Sequence, residues 1–118
     1  MIITRTPLRI SIGGGGTDLP SYYEQHGGFV ISAAINKYIY ITANTTFRPG
    51  YFLKYSRTEQ VDEIDDIEHG LLRETIRKLE ISPEIEIVSI ADVPAGTGLG
   101  SSGSFTVGLL NTLYAYKR

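Results

Sequence analysis

Residues 96–104 read Gly-Thr-Gly-Leu-Gly-Ser-Ser-Gly-Ser. Glycines let backbone N–H groups approach an anion with no side chain in the way, and the first N–H groups of a helix have no intrahelical partner. A glycine turn running into a helix is therefore a ready phosphate site. The hydroxyls of Ser101 and Ser102 could add phosphate donors or touch a metal ion. A plainer alternative stays open on these residues alone: the serines cap the helix and the glycines close a tight turn. Walker A is excluded, because the loop has no lysine. The dinucleotide fingerprint fits Gly98, Gly100 and Gly103, but the ribose-binding acid expected about 20 residues on would fall beyond Arg118. The serine-hydrolase elbow G-x-S-x-G fails, since Gly100 and Ser102 are followed by Ser104 where it needs glycine.

A second group lies near the amino end. Arg9 precedes Gly13-Gly14-Gly15-Gly16-Thr17-Asp18. A cation, a flexible loop and a carboxylate at short range could hold a polar substrate, and a carboxylate can accept two hydrogen bonds from vicinal sugar hydroxyls. Residue type alone favours the simpler reading, in which Asp18 caps a helix and Arg9 is a solvated charge.

These loops need elements to position them. Residues 2–12 are rich in β-branched side chains and are interrupted by Pro7, which predicts two short strands or a broken edge strand. Asp18 or Ser21 would begin a short helix through Tyr22, Tyr23 and Gln25, ended by Gly27-Gly28. Residues 29–45 read as extended chain, Arg48-Pro49-Gly50 as a turn, and residues 51–55 as the hairpin partner. The stretch from Glu59 to Glu68 is acidic, and its run from Asp62 to Glu68 reads as a solvated face leading into a helix. That helix would start at Asp65 or Asp66, bury Ile67, Leu71, Leu72, Ile76 and Leu79, and break at Ser82-Pro83. Ile85, Ile87 and Val88 suit a strand. Phe105, Leu109, Leu110, Leu113 and Tyr116 form the stripe of a last helix. The order of elements is that of an α+β fold.

Composition sets outer limits. The length of 118 residues fits one small domain. With 42% hydrophobic and 20% charged residues, the chain can bury a core and is not of disordered composition. A net charge of −2 argues against a nucleic-acid footprint. The absence of cysteine removes disulfides, iron–sulfur clusters and thiolate zinc sites, and His26 and His69 lie in no metal-ligand spacing. No apolar run approaches the roughly 20 residues of a membrane span, and no signal peptide is visible. A cytoplasmic protein is the expectation.

Taken together, the two loops resemble motifs one and two of the galactokinase, homoserine kinase, mevalonate kinase and phosphomevalonate kinase (GHMP) superfamily. Residues 94–104, a proline followed by G-L-G-S-S, are similar to its phosphate loop. Thr6-Pro-Leu-Arg-Ile-Ser11 with Gly14-Gly-Gly-Thr-Asp18 is similar to its sugar-kinase opening. Asp18-Leu-Pro-Ser-Tyr-Tyr23 and Ser32-Ala-Ala-Ile-Asn-Lys-Tyr38 point to the branch of D-glycero-D-manno-heptose 7-phosphate kinases. The resemblance implies a ribosomal protein S5 domain 2-like fold and ATP-dependent, Mg²⁺-dependent phosphorylation of a sugar at its anomeric hydroxyl. By the same resemblance Gly96, Gly98, Gly100 and Ser101 would cradle the ATP phosphates. Ser102 would help hold Mg²⁺, Arg9 would steady the reacting oxygen, and Asp18 would grip sugar hydroxyls within a substrate loop 9–18 that includes Thr17.

Galactokinases carry a Glu-His pair where this chain has Gly15 and Gly16. That opens space, removes a negative charge and suits a phosphorylated sugar over galactose. L-Fucose kinase-like activity, or that of another sugar-1-kinase, is the near alternative. A non-catalytic nucleotide- or partner-binding module is a different class, and a dinucleotide-dependent oxidoreductase is a third with little support. The family's catalytic aspartate and third glycine-rich motif lie further on. Residues 1–118 therefore read as a partial amino-terminal domain lacking its carboxy-terminal domain. Alone it is expected to be inactive, with the last helix partly uncovered and prone to self-association.

Overall fold

The computed structural model describes residues 1–118. Its elements run β1 (Ile2–Gly13), α1 (Pro20–His26), β2 (Ile31–Thr45), β3 (Tyr51–Lys54), β4 (Thr58–Val61), α2 (Gly70–Leu79), β5 (Ile85–Ala91) and α3 (Ser101–Lys117), with one 3₁₀ turn at Ile64–Asp66. They form a mixed α+β fold on a five-stranded sheet of order β1-β2-β5-β3-β4. The expected pairing of residues 51–55 with the strand before them is not what forms. β5 inserts between β2 and β3, antiparallel to the first and parallel to the second, and β3 makes its hairpin with β4. Burial accounts for the placement: Ile85 and Ile87 are fully enclosed, which suits a central strand and not an edge.

β1 is one edge strand, not two. Pro7 is tolerated there because an edge strand has N–H groups that need no ladder partner. The register against β2 shifts between Pro7 and Arg9, and Leu8 at that irregularity is fully buried. The shift lets the strand meet α3. Ser104 Oγ donates to the Pro7 carbonyl at 2.8 Å, and Thr4 Oγ1 lies 2.6 Å from Thr112 Oγ1. A Cβ on Gly108 would stand 2.7 Å from Thr6 Oγ1, so only glycine allows this close seat of α3 on β1.

α3 buries Phe105, Leu109 and Leu113 in the shared core with Leu8, Ile41 and Ile76. Each fully buried leucine or isoleucine contributes about 1.5–3 kcal/mol by leaving water. Leu110 and Tyr116, expected in the buried stripe, are only partly covered, while Val107 and Tyr114 are exposed. α2 starts at Gly70, later than expected, because the His69 imidazole caps it by accepting from Leu72 N. The preceding acids fold into the separate 3₁₀ turn, and Leu71 points away from the core stripe of Leu72, Ile76 and Leu79. Beyond Leu8 and below Tyr38, β1 and β2 continue as a largely exposed two-stranded arm carrying α1. No helix is long and apolar enough to cross a membrane.

Candidate functional site

The loop from Asp92 to Gly100 joins the central strand to α3 and is fixed at both ends. Asp92 accepts from Tyr38 N at 2.8 Å, anchoring the exit from β5. At the other end Arg9 holds the loop from β1. Its backbone N–H donates to the Leu99 carbonyl at 3.0 Å, and its guanidinium Nη1 donates to the Gly98 carbonyl at 2.9 Å. The Arg9 stem lies so close to Gly100 that a Cβ there would meet Cζ at 3.1 Å. Arg9 and the loop before α3, 89 residues apart in sequence, thus form one unit.

The loop's inner surface is open to an anion. Gly96, Gly98 and Gly100 all have positive φ, near 80°, as the values 81°, 74° and 75° show. A Cβ on Gly96 or Gly98 would touch nothing within 4 Å, so these glycines serve the backbone turn and leave the space beside it free. No side chain caps α3, and the N–H groups of Ser101, Ser102 and Gly103 have no partner within the protein. The alternative in which the serines cap the helix is therefore not taken up. Ser104 bonds Pro7 instead, while the hydroxyls of Ser101 and Ser102 make no hydrogen bond. Unpaired donors at a helix start, beside a guanidinium, are the equipment for binding phosphate.

Ser101 and Ser102 also line a cavity of about 480 Å³ shared with Tyr55, His69, Leu71 and Phe105. His69 packs edge-on to Tyr55 at 4.6 Å and tilted against Phe105 at 5.2 Å. Behind these rings sits Glu59, 8% exposed. It accepts from the Tyr55 hydroxyl at 2.6 Å and from the backbone N–H groups of Glu68 and His69 at 2.7 and 3.2 Å. Burial opposes the Glu59 charge, but the Tyr55 hydroxyl, the two N–H groups and His69 outweigh it and hold the carboxyl below its ordinary value. Tyr55 is pushed up to about 12, first by burial and then by the Glu59 carboxylate it bonds. Tyr55, His69 and Leu71 have no motif to mark them. The acids of the run from Asp62 to Glu68 are exposed, as expected, while β4 turns Glu59, just before that run, inward.

The first glycine loop is built differently. Thr17 Oγ1 donates to the Gly14 carbonyl at 2.7 Å, lies 3.0 Å from the Phe29 carbonyl, and accepts from Phe29 N at 3.1 Å. Asp18 does not cap α1, whose N-cap is Leu19 with Pro20 beginning the helix; its carboxylate instead accepts from Gly16 N at 3.1 Å. Asp18, Gly15 and Gly16 are exposed. No hydrogen bond joins this loop to the phosphate loop. Gly13 lies four residues beyond Arg9 on β1, about 13 Å at strand rise.

Residues 67–118 match the family described as GHMP kinases N terminal domain. The D-glycero-alpha-D-manno-heptose 7-phosphate kinase of Campylobacter jejuni is 29% identical over 121 residues, covering 92% of this chain and 36% of its own length. The chain is similar in sequence and fold to the N-terminal part of GHMP kinases. Among solved GHMP kinase structures, a D-glycero-D-manno-heptose 1-phosphate kinase from Bacteroides thetaiotaomicron superposes with a TM-score of 0.84 at 26% identity, over 99% of this chain and 42% of that one. The mevalonate kinase of Methanococcus jannaschii shares the fold, with a TM-score of 0.75 at 22% identity over 99% of this chain and 40% of its own. The chain thus spans about two-fifths of the GHMP kinases it matches, as those shares of 36%, 42% and 40% show.

Proposed function

We propose that this chain supplies the ATP-phosphate and sugar-binding part of a sugar kinase that transfers the γ-phosphate of ATP to the anomeric hydroxyl of a heptose 7-phosphate. The observation that carries the reading is the open loop of Gly96, Gly98 and Gly100 running into uncapped α3 with Arg9 bound to it. Phosphoryl transfer depends mostly on positioning and charge stabilisation, and this unit offers both. The Ser101–Gly103 N–H groups would hold phosphate oxygens. The Arg9 donors not bonded to Gly98 would face charge on the transferring group.

The residues fit a phosphate-borne Mg²⁺. No cluster of three or more acidic or histidine ligands is present, and Mg²⁺ commonly relies on substrate phosphates and water with few protein ligands. The Ser102 hydroxyl, unbonded in the structure, would be its contact on this chain. When bound, the ion neutralises phosphate charge. Asp18 would accept from sugar hydroxyls, with Gly15 and Gly16 leaving room beside it and Thr17 holding the loop in shape.

The hollow between Arg9 and the start of α3 has no carboxylate in its lining. Removing a proton from a sugar hydroxyl needs a positioned base. We infer that the 118 residues alone bind both ligands without turnover.

A coupled assay with MgATP tests the reading, using heptose 7-phosphate and L-fucose as acceptors. Run on the protein including whatever sequence follows Arg118, it should show turnover with the heptose phosphate; turnover with fucose alone would move the assignment to the fucose kinase-like alternative. On residues 1–118 it should show none. Gly15 has ordinary backbone angles and only Ser11 Oγ near, at 3.4 Å, so a side chain can be placed there. Gly15→Glu should weaken a sugar phosphate more than a neutral sugar, and equal losses would remove the proposed preference.

A further inference from the structure

We propose that Glu59 is a positioning residue for nucleotide recognition, setting the Tyr55 and His69 rings that wall the cavity beside the phosphate loop. The inference rests on the proposed nucleotide reading of that cavity and says which buried group shapes its base end.

The argument starts from what a buried carboxylate needs. Taking a charged group out of water is costly unless it is fully hydrogen-bonded. Glu59 satisfies that need with three donors drawn from two separate segments. One oxygen takes the Tyr55 hydroxyl and His69 N, and the other takes Glu68 N. Tyr55 lies at the turn joining β3 to β4, and residues 68–69 lie just before α2. A single carboxylate thereby ties the edge hairpin to the α2 N-terminus.

Both tied residues face the cavity. Tyr55 and His69 line the same space as Ser101 and Ser102, while Glu59 does not line it. His69 is restrained a second time, because its Nδ1 accepts from Leu72 N at 3.4 Å. In the neutral ring that leaves the proton on Nε2, so the edge not used for capping is a donor. The tie fixes where an aromatic wall and a donor stand relative to the loop that would hold the phosphates. A flat, hydrogen-bonding base is the ligand part such a wall suits, whereas the phosphate end depends on the α3 N-terminus and on Arg9, which does not line this cavity. Glu59 should therefore act on the base and not on the phosphates.

Calorimetric titration of the protein with MgATP and, separately, with magnesium tripolyphosphate separates the two ends. For the wild type, ATP should bind more tightly than tripolyphosphate. Glu59→Ala should weaken ATP about tenfold while changing tripolyphosphate by less than about threefold. Glu59→Gln, which keeps one acceptor oxygen, should recover part of the loss. Tyr55→Phe, which removes one bond and leaves the ring, guards against a variant that does not fold and should show a smaller loss in the same direction. Equal weakening of both ligands would mean that Glu59 only maintains the fold, and unchanged ATP affinity would mean that it sets nothing; either overturns the inference. Wild type binding ATP no better than tripolyphosphate also overturns it, since the base would then find no wall. Wild type binding neither ligand removes the nucleotide reading itself.

Discussion

The two glycine-rich loops use glycine for opposite reasons. In the first, glycine lets chain approach chain. A Cβ on Gly14 would fall 1.8 Å from the Phe29 carbonyl oxygen, and one on Gly28 would fall 2.3 Å from the Thr17 carbonyl oxygen. Thr17 then bonds across the same crossing. In the second, a Cβ on Gly96 or Gly98 would meet nothing, and the loop is held from outside by Arg9. The first loop is closed on the protein at Gly14 and stays open at Gly15 and Gly16 beside Asp18, whereas the second is held at Gly100 by Arg9 and open at Gly96 and Gly98. Sequence composition treats the two alike; the space around each Cβ position separates them.

Substitution at the crossing gives the largest break in that contrast. Gly14→Ala combines positive φ with a collision against backbone, and should cost about 3 kcal/mol. Gly96→Ala has the positive φ without the collision and should cost about 1–2 kcal/mol. Chemical denaturation of both variants checks the difference, and similar losses would mean that the two loops are not distinct.

Thr17→Val keeps the shape of Thr17 and removes its hydrogen bonds. The expected loss is about 1–2 kcal/mol in the same denaturation experiment, with no change in tripolyphosphate affinity. Arg9→Met inverts that outcome: it retains an apolar stem over Gly100 but removes the bond to the Gly98 carbonyl. MgATP affinity should fall about tenfold with little change in melting temperature.

Much of this architecture can be read in the sequence, and what cannot has a physical cause. β-branched runs and the Phe105–Leu113 spacing announce strands and a helix, because burial imposes its period on the residues themselves. Residues 51–54 announce a strand but not its partner. The partner, β5, comes thirty residues later, and nothing local encodes a parallel pairing at that distance. The acidic run from Asp62 to Glu68 is solvated as its charges announce, but the burial of Glu59 just before it is not announced, because its donors come from the β3–β4 turn and from the start of α2. Of the candidate site, the open glycine turn leading into α3 was legible from its glycines and serines. The Arg9 lock was not legible, because the contact crosses 89 residues. The aromatic wall of Tyr55 and His69 was not legible at all.

The effect confined to the narrowest range of conditions concerns that wall. Tyr55 is raised from 10.0 to about 12 in the folded protein. Above pH 10 the unfolded phenol loses its proton first, so the unfolded state binds fewer protons and stability falls as pH rises from 10.0 toward about 12. Below pH 10 this contribution is fully present. Tyr55→Phe should flatten the alkaline limb of a stability-against-pH curve; an unchanged limb would mean that Tyr55 is not buried against Glu59 in solution.

The central claim is that the open loop, and not the closed one, receives the ATP phosphates. Amide chemical-shift mapping of the chain during a MgATP titration tests it residue by residue. The account predicts the largest shifts at the N–H groups of Ser101, Ser102 and Gly103 and along Gly96–Gly100, with Gly14–Asp18 unmoved. Largest shifts in Gly14–Asp18, or none at the start of α3, would contradict it.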